Sequence, residues 1–154
     1  MTNSRLTGPI KIVGTGLIGT SIGLALKGKG LEVFLEDSSP AVLNLAIDFG
    51  AGKKYESGTE PELVIVCTPP DVTAQVIATE LAAHPAATVT DVASVKGTVL
   101  TSLQQQGIEL ANYVGSHPMA GREQTGALAG RGDLFIGRPW VITPSKESNN
   151  AAVL

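Results

Sequence analysis

Near the N-terminus, Gly14-Thr15-Gly16-Leu17-Ile18-Gly19 sets three glycines at the spacing that cradles a pyrophosphate. An apolar run, Ile10 to Val13, precedes it, and a helical pattern follows it. In that setting the first glycine makes the tight turn. The second lets backbone approach a phosphate without a Cβ in the way, and the third allows close packing of helix on strand. The helix N-terminus then offers free N–H groups and the positive end of its dipole. A carboxylate is expected about 20 residues further on, to bind ribose hydroxyls. Asp37 lies eighteen residues after Gly19, with Glu36 beside it. A carboxylate there repels a 2′-phosphate and no Arg follows to attract one, so the expected cofactor is NAD rather than NADP. Glu36 itself reads as a solvated charge. Leu17 and Ile18 belong to the phosphate turn. Thr68-Pro69-Pro70 stands at the carboxyl end of a later strand, and two readings stay open: a contact along the cofactor, or a plain turn and helix start.

Both histidines precede proline, and topology separates them. His84 ends a helix before a strand, on the side away from a ligand crevice, and reads as a surface helix end. His117 follows the short run Tyr113 to Gly115, read here as a strand, and so falls on the crevice side. Histidine is the usual general base near neutral pH. Asp91-Val92-Ala93-Ser94-Val95-Lys96 follows another strand, which puts Ser94 at the same sheet edge as His117. Its hydroxyl can hold a substrate oxygen, orient the histidine, or cap the next helix. Lys96 is either a charge for a substrate or a first-turn helix residue.

These residues need a scaffold, and the chain alternates strand and helix throughout. Leu17 to Lys29 puts Ile18, Ile22, Ala25 and Leu26 on one helical face. Glu32 to Glu36 reads as a strand. Ser39-Pro40 reads as an N-cap with proline at the first helical position. Ala51 to Glu60 holds at most a short edge strand. Leu63 to Cys67 is an unbroken apolar run, as in a strand buried on both faces. A helix opening at Pro70, a strand at Thr88 to Val92, a helix carrying Val95, Val99 and Leu103, and a last strand at Trp140 to Thr143 complete the pattern. The expected class is α/β: a Rossmann-type, doubly wound, mostly parallel sheet with helices on both faces. Ligands then bind beyond the carboxyl ends of the strands. Met1 to Gly8 reads as a flexible N-terminus and 9–154 as one dinucleotide-binding domain.

Composition agrees. The 154 residues are 43% hydrophobic and only 16% charged, with a net charge of −3. Soluble domains usually carry about 25% charged residues, so the low share reads either as a tightly packed α/β domain or as one with part of its surface meeting another domain. No basic stripe points to nucleic acid. No run approaches the length of a membrane helix. The lone Cys67 fits a reducing, cytoplasmic setting. No metal site is expected.

Four segments together resemble the prephenate and arogenate dehydrogenase family: Gly14 to Lys27, Asp91 to Lys96 (DVASVK), Gly115 to Gly126 (GSHPMAGREQTG) and Leu134 to Pro144. The resemblance implies oxidative decarboxylation of prephenate to 4-hydroxyphenylpyruvate with NAD, in tyrosine biosynthesis. It implies that His117 takes the hydroxyl proton and that Ser94 holds the same hydroxyl. Glu123, and less so Arg122, match positions near the mouth of the substrate pocket; both equally fit a solvated pair on a loop. Arogenate is the alternative substrate. A hydroxyacid or imine-type dehydrogenase, or a non-catalytic NAD-binding module, shares the fingerprint without accounting for DVASVK and SHPMAG. Family members continue into a helical domain that forms a homodimer and adds basic substrate ligands. This chain alone is therefore expected to bind NAD and to turn over poorly.

Overall fold

Strand β1 (Ile10–Val13) is buried along its whole length and lies at the centre of a parallel sheet. It pairs on one side with β2 (Val33–Glu36) and on the other with β4 (Leu63–Val66). The short β3 (Lys53–Lys54) and β5 (Thr88–Asp91) complete the order β3-β2-β1-β4-β5. The structure is a computed structural model that describes residues 5–120 and 130–153. Helices α1 (Leu17–Gly28) and α2 (Pro40–Asp48) carry the chain from β1 outward through β2 to β3. Helix α3 (Pro70–Ala83) returns it on the other side of β1, from β4 to β5. The reversal therefore lies between β1 and β4, where a doubly wound sheet opens a crevice.

The period-two alternation of each strand divides the core between the two faces. Ile10, Ile12, Val33 and Leu35 pack with Ile22 of α1 and with Leu43 and Ala46 of α2. Val13, Val64, Val66 and Val89 pack with Ile77 of α3 and with Val99 and Leu103 of α4 (Lys96–Gln105). Burial of each valine, leucine or isoleucine among them stabilises the fold by up to about 1.5–3 kcal/mol. Local signals fix the helix starts. Ser39 caps α2 by accepting from the Val42 N–H, and Pro40 occupies its first turn. Helix α1 has no side-chain cap.

One expected strand lies elsewhere. Tyr113 makes a single parallel bridge to Val89, and the strand proper is β6 (Gly115–Pro118). It runs antiparallel to β7 (Trp140–Thr143) in a separate two-stranded sheet. His117 therefore sits within β6, opposite Val141, and not in a loop after a parallel strand. All four residues of β7 are exposed. A short helix, α5 (Asn150–Val153), ends the described chain. Among the described residues no helix is long and apolar enough to cross a membrane.

Candidate active site

A crevice of about 920 Å³ opens at the reversal point. The glycine turn after β1, the end of β2, the Cys67–Pro69 turn after β4, one side of α3, and Val92 and Ala93 after β5 line it. The three fingerprint glycines differ in what holds them. Gly14 has φ +95°, and a Cβ there would lie 2.5 Å from the Cys67 carbonyl oxygen. A Cβ on Gly19 would lie 1.9 Å from the Gly14 carbonyl oxygen. The fold itself requires both. Gly16 has φ −75°, open to any residue, and a Cβ there would meet nothing within 4 Å. Gly16 lines the crevice, so such a Cβ would occupy space that only a ligand could contest. Leu17 and Ile18 also line it, in the first turn of α1, whose leading N–H groups have no intrahelical partner.

Asp37 ties this turn to the end of β2. Its Oδ2 accepts from the Thr15 backbone N–H at 2.8 Å and from the Thr15 hydroxyl at 3.0 Å. Its Oδ1 accepts from the Ser39 N–H at 2.8 Å. Oδ2 is thereby fully used, Oδ1 keeps one further lone pair, and Asp37 lines the crevice. Thr68 and Pro69 line it from the opposite side. Thr68 shares a 3.0 Å hydroxyl contact with buried Thr73, which also donates to the Pro69 carbonyl at 2.9 Å.

Two expectations require correction here. Glu36 is not a free solvated charge: its Oε2 lies 2.8 Å from Nζ of Lys11, and its side chain is half-exposed along the crevice. His84 is not a surface residue. It caps the C-terminus of α3 but is 5% exposed, with Nε2 3.6 Å from Glu80 and 3.5 Å from the Tyr55 hydroxyl. Both belong to a cluster built on Lys11, which the strand's alternation carries onto the α3 face. Burial pulls the Lys11 ammonium down, but hydrogen bonds and charges from Glu36 and Glu80 outweigh it and hold its pKa above the ordinary value.

At the other end of the crevice, Asp91 organises the loop that carries Ser94. Its carboxylate is fully buried, pairs with Nζ of Lys96, and accepts from the Ala93 N–H at 3.1 Å. The Tyr113 hydroxyl donates to its other oxygen at 2.7 Å. Burial, then the Asp91 charge, pushes the Tyr113 phenol far above its usual range. Burial lowers the Lys96 pKa despite the pairing. Ser116 donates to the Asp91 carbonyl at 2.8 Å, which fastens β6 to the same loop. Next along β6, Nδ1 of His117 lies 3.2 Å from the Val92 carbonyl. A carbonyl only accepts, so this bond requires the proton on Nδ1 and leaves Nε2 as the basic nitrogen. Nε2 has no partner among the described residues. Ser94 is exposed on the same loop, two residues beyond Val92. It does not cap α4; that position is Val95.

The sheet thus brings Gly14, Gly16, Leu17, Ile18, Asp37, Thr68 and Pro69 into one crevice, and ties the Ser94 loop to His117 at its end. Gly19 supports the turn from behind. Arg122 and Glu123 lie outside the described residues. Sequence reasoning missed the Lys11–Glu36–Glu80 cluster and the anchoring role of Asp91. A lysine between two isoleucines in an otherwise apolar strand was the available signal for the first.

The family described as the nucleotide-binding domain of prephenate dehydrogenase matches residues 22–154. The chain is 44% identical over 142 residues to the probable prephenate dehydrogenase NovF of Streptomyces niveus, covering 92% of this chain and 39% of that protein. Among solved structures, it superposes with a TM-score of 0.86 on a prephenate dehydrogenase from A. aeolicus in complex with hydroxyphenyl propionate and NAD+. That pair is 26% identical, over 98% of this chain and 55% of the other. A Synechocystis arogenate dehydrogenase gives a TM-score of 0.82 at 25% identity, over 94% and 53% of the two chains. The chain spans about two fifths of the NovF length. It belongs to the family of prephenate dehydrogenase nucleotide-binding domains.

Proposed function

We propose that this chain is the NAD-binding part of a cytoplasmic prephenate dehydrogenase that converts prephenate to 4-hydroxyphenylpyruvate. The observation that carries the reading is the continuity of the crevice. It runs from Asp37, past the glycine turn, to Val92, whose carbonyl holds the His117 ring. The residues fit a dinucleotide: Gly16 leaves an unfilled cradle at a helix N-terminus, and Oδ1 of Asp37 keeps an acceptor site for a ribose hydroxyl. Gly14, Gly16, Leu17 and Ile18 would hold the pyrophosphate, with Gly19 supporting the turn behind them and Thr68 and Pro69 opposite. NAD⁺ would supply the acceptor for a hydride from the ring carbon that bears the hydroxyl.

The protein's own part is positioning and proton transfer. Nε2 of His117 takes the hydroxyl proton as the carbon is oxidised. The Ser94 hydroxyl holds the same oxygen. Loss of CO₂ then makes the ring aromatic. Arg122 and Glu123 are assigned to the substrate mouth. In the longer protein, further basic ligands and the homodimer contact belong to the helical domain that family members carry. The test uses that full-length protein, assayed with prephenate and arogenate, each with NAD and NADP. Turnover of prephenate with NAD is the expected result. Preference for arogenate would replace the substrate, and rapid turnover by the 154 residues alone would refute the need for a second domain.

A further inference from the structure

Lys11 is 3% exposed in the central strand, where an ammonium is costly unless it is paired. Two carboxylates meet it. Both oxygens of Glu80 lie on Nζ, at 3.0 and 2.9 Å. Oε2 of Glu36 is the third contact, at 2.8 Å. The Tyr55 ring closes the remaining side, 4.0 Å from Nζ. The cluster therefore holds one carboxylate more than it has ammonium groups. Oε1 of Glu36 has no partner among the described residues, and Glu36 lines the crevice beside Asp37. A carboxylate oxygen only accepts, so it calls for a donor.

The direction in which Glu36 points identifies that donor. Asp37 turns towards the glycine turn and α2, through Thr15 and Ser39. Glu36 turns to the opposite side of the sheet, towards α3, where Val72 and Val76 offer an apolar wall. This is the end of the crevice remote from His117. A flat base laid against that wall presents its edge to Glu36. We infer that Glu36, pinned by the buried Lys11–Glu80 pair, accepts a hydrogen bond from the exocyclic amine of an adenine base and so selects adenine over a base with a carbonyl at that place. The inference rests on the reading of the crevice as a NAD site and adds the residue that reads the base.

Calorimetry on this chain with NAD and with nicotinamide hypoxanthine dinucleotide tests it, since the second ligand replaces the C6 amine with a carbonyl, with a proton on N1, and is otherwise identical. NAD should bind at least about tenfold more tightly, the scale of one hydrogen bond to a charged group. Glu36→Ala should bring the ratio close to one. The double variant Lys11→Met/Glu80→Leu replaces a buried pair with apolar groups, which folded proteins often tolerate. It should lower the ratio with Glu36 still present. Equal affinity of the unaltered chain for both ligands overturns the inference and leaves the NAD reading standing. A full ratio in Glu36→Ala, or in the double variant, overturns the role given to the altered residues. Binding of neither ligand overturns the NAD reading itself.

Discussion

Gly16→Ala should leave the fold intact and abolish useful NAD affinity, because Gly16 is the one fingerprint glycine that the protein's own atoms do not demand. The added Cβ meets nothing within 4 Å, and the backbone conformation suits any residue. Alanine is a poorer N-cap than glycine by up to about 1 kcal/mol. Reduced freedom of the unfolded chain offsets about 0.4–1 kcal/mol of that. The net change in stability is then within about 1 kcal/mol, or roughly 2–4 °C in Tm for a domain of this size. Binding is another matter. The methyl group stands where a phosphate must approach the first N–H groups of α1. Loss of two hydrogen bonds to a charged group, at about 1.5–3 kcal/mol each, weakens binding roughly 10²- to 10⁴-fold. Gly19→Ala is the internal control. Its Cβ would lie 1.9 Å from backbone oxygen, so the variant should lose more than about 4 kcal/mol of stability. Thermal unfolding and calorimetric titration with NAD separate the two effects. A Gly16→Ala protein that binds NAD within threefold of the unaltered chain, or that melts as early as Gly19→Ala, would refute the reasoning.

In the full-length enzyme, His117→Asn should lower kcat by about 10²-fold or more while leaving the Kd for NAD unchanged; an unaltered kcat removes His117 from the chemistry. The unaltered chain should prefer NAD to NADP, and Asp37→Ala should weaken NAD binding; equal Kd values for the two cofactors in the unaltered chain would show that Asp37 does not discriminate. Lys11→Met should cost about 3–5 kcal/mol in urea unfolding, because it takes from buried Glu80 its ammonium partner, and the further change Glu80→Leu should recover most of it. The Tyr113 phenol keeps its proton in the folded state at pH values where the unfolded chain, with an ordinary value of 10.0, has lost it. The folded state then binds more protons, so stability is fully present below pH 10 and falls as pH rises above it. A Tyr113→Phe protein whose stability falls as steeply over that range would count against this account.

The parts of the site that were legible in the sequence are those where one local rule suffices. The glycine spacing, the apolar run before it and the 3.6-residue period after it agree with one another, and β1, α1 and the crevice follow. Leu63 to Cys67 is likewise legible, because a five-residue apolar run between Pro61 and Pro69 is too short for a buried helix and suits a strand buried on both faces. Strand β6 was displaced because Gly-Ser-His-Pro carries no strand signal of its own. Its pairing depends on β7, more than 20 residues away along the chain, and on Ser116 bonding back to Asp91. His84 looked exposed because a polar helix end usually is. It is buried because Glu80, one turn earlier on α3, reaches Lys11 across the sheet face. No window of local sequence contains that contact.

Strand β7 has a consequence for the chain handled alone. Trp140, Val141 and Ile142 are 37%, 44% and 54% exposed, and nearby Ile136 is 78% exposed. The strand is one of only two in its sheet, so one backbone edge has no strand neighbour among the described residues. Apolar side chains on an open edge form a template for strand addition between molecules, with charged Arg138 and Lys146 as the flanking gatekeepers. Self-association of this chain is therefore expected first at this ribbon and not at the lysine-bearing β3 edge of the parallel sheet, and a charged residue at Ile142 is the simplest way to suppress it.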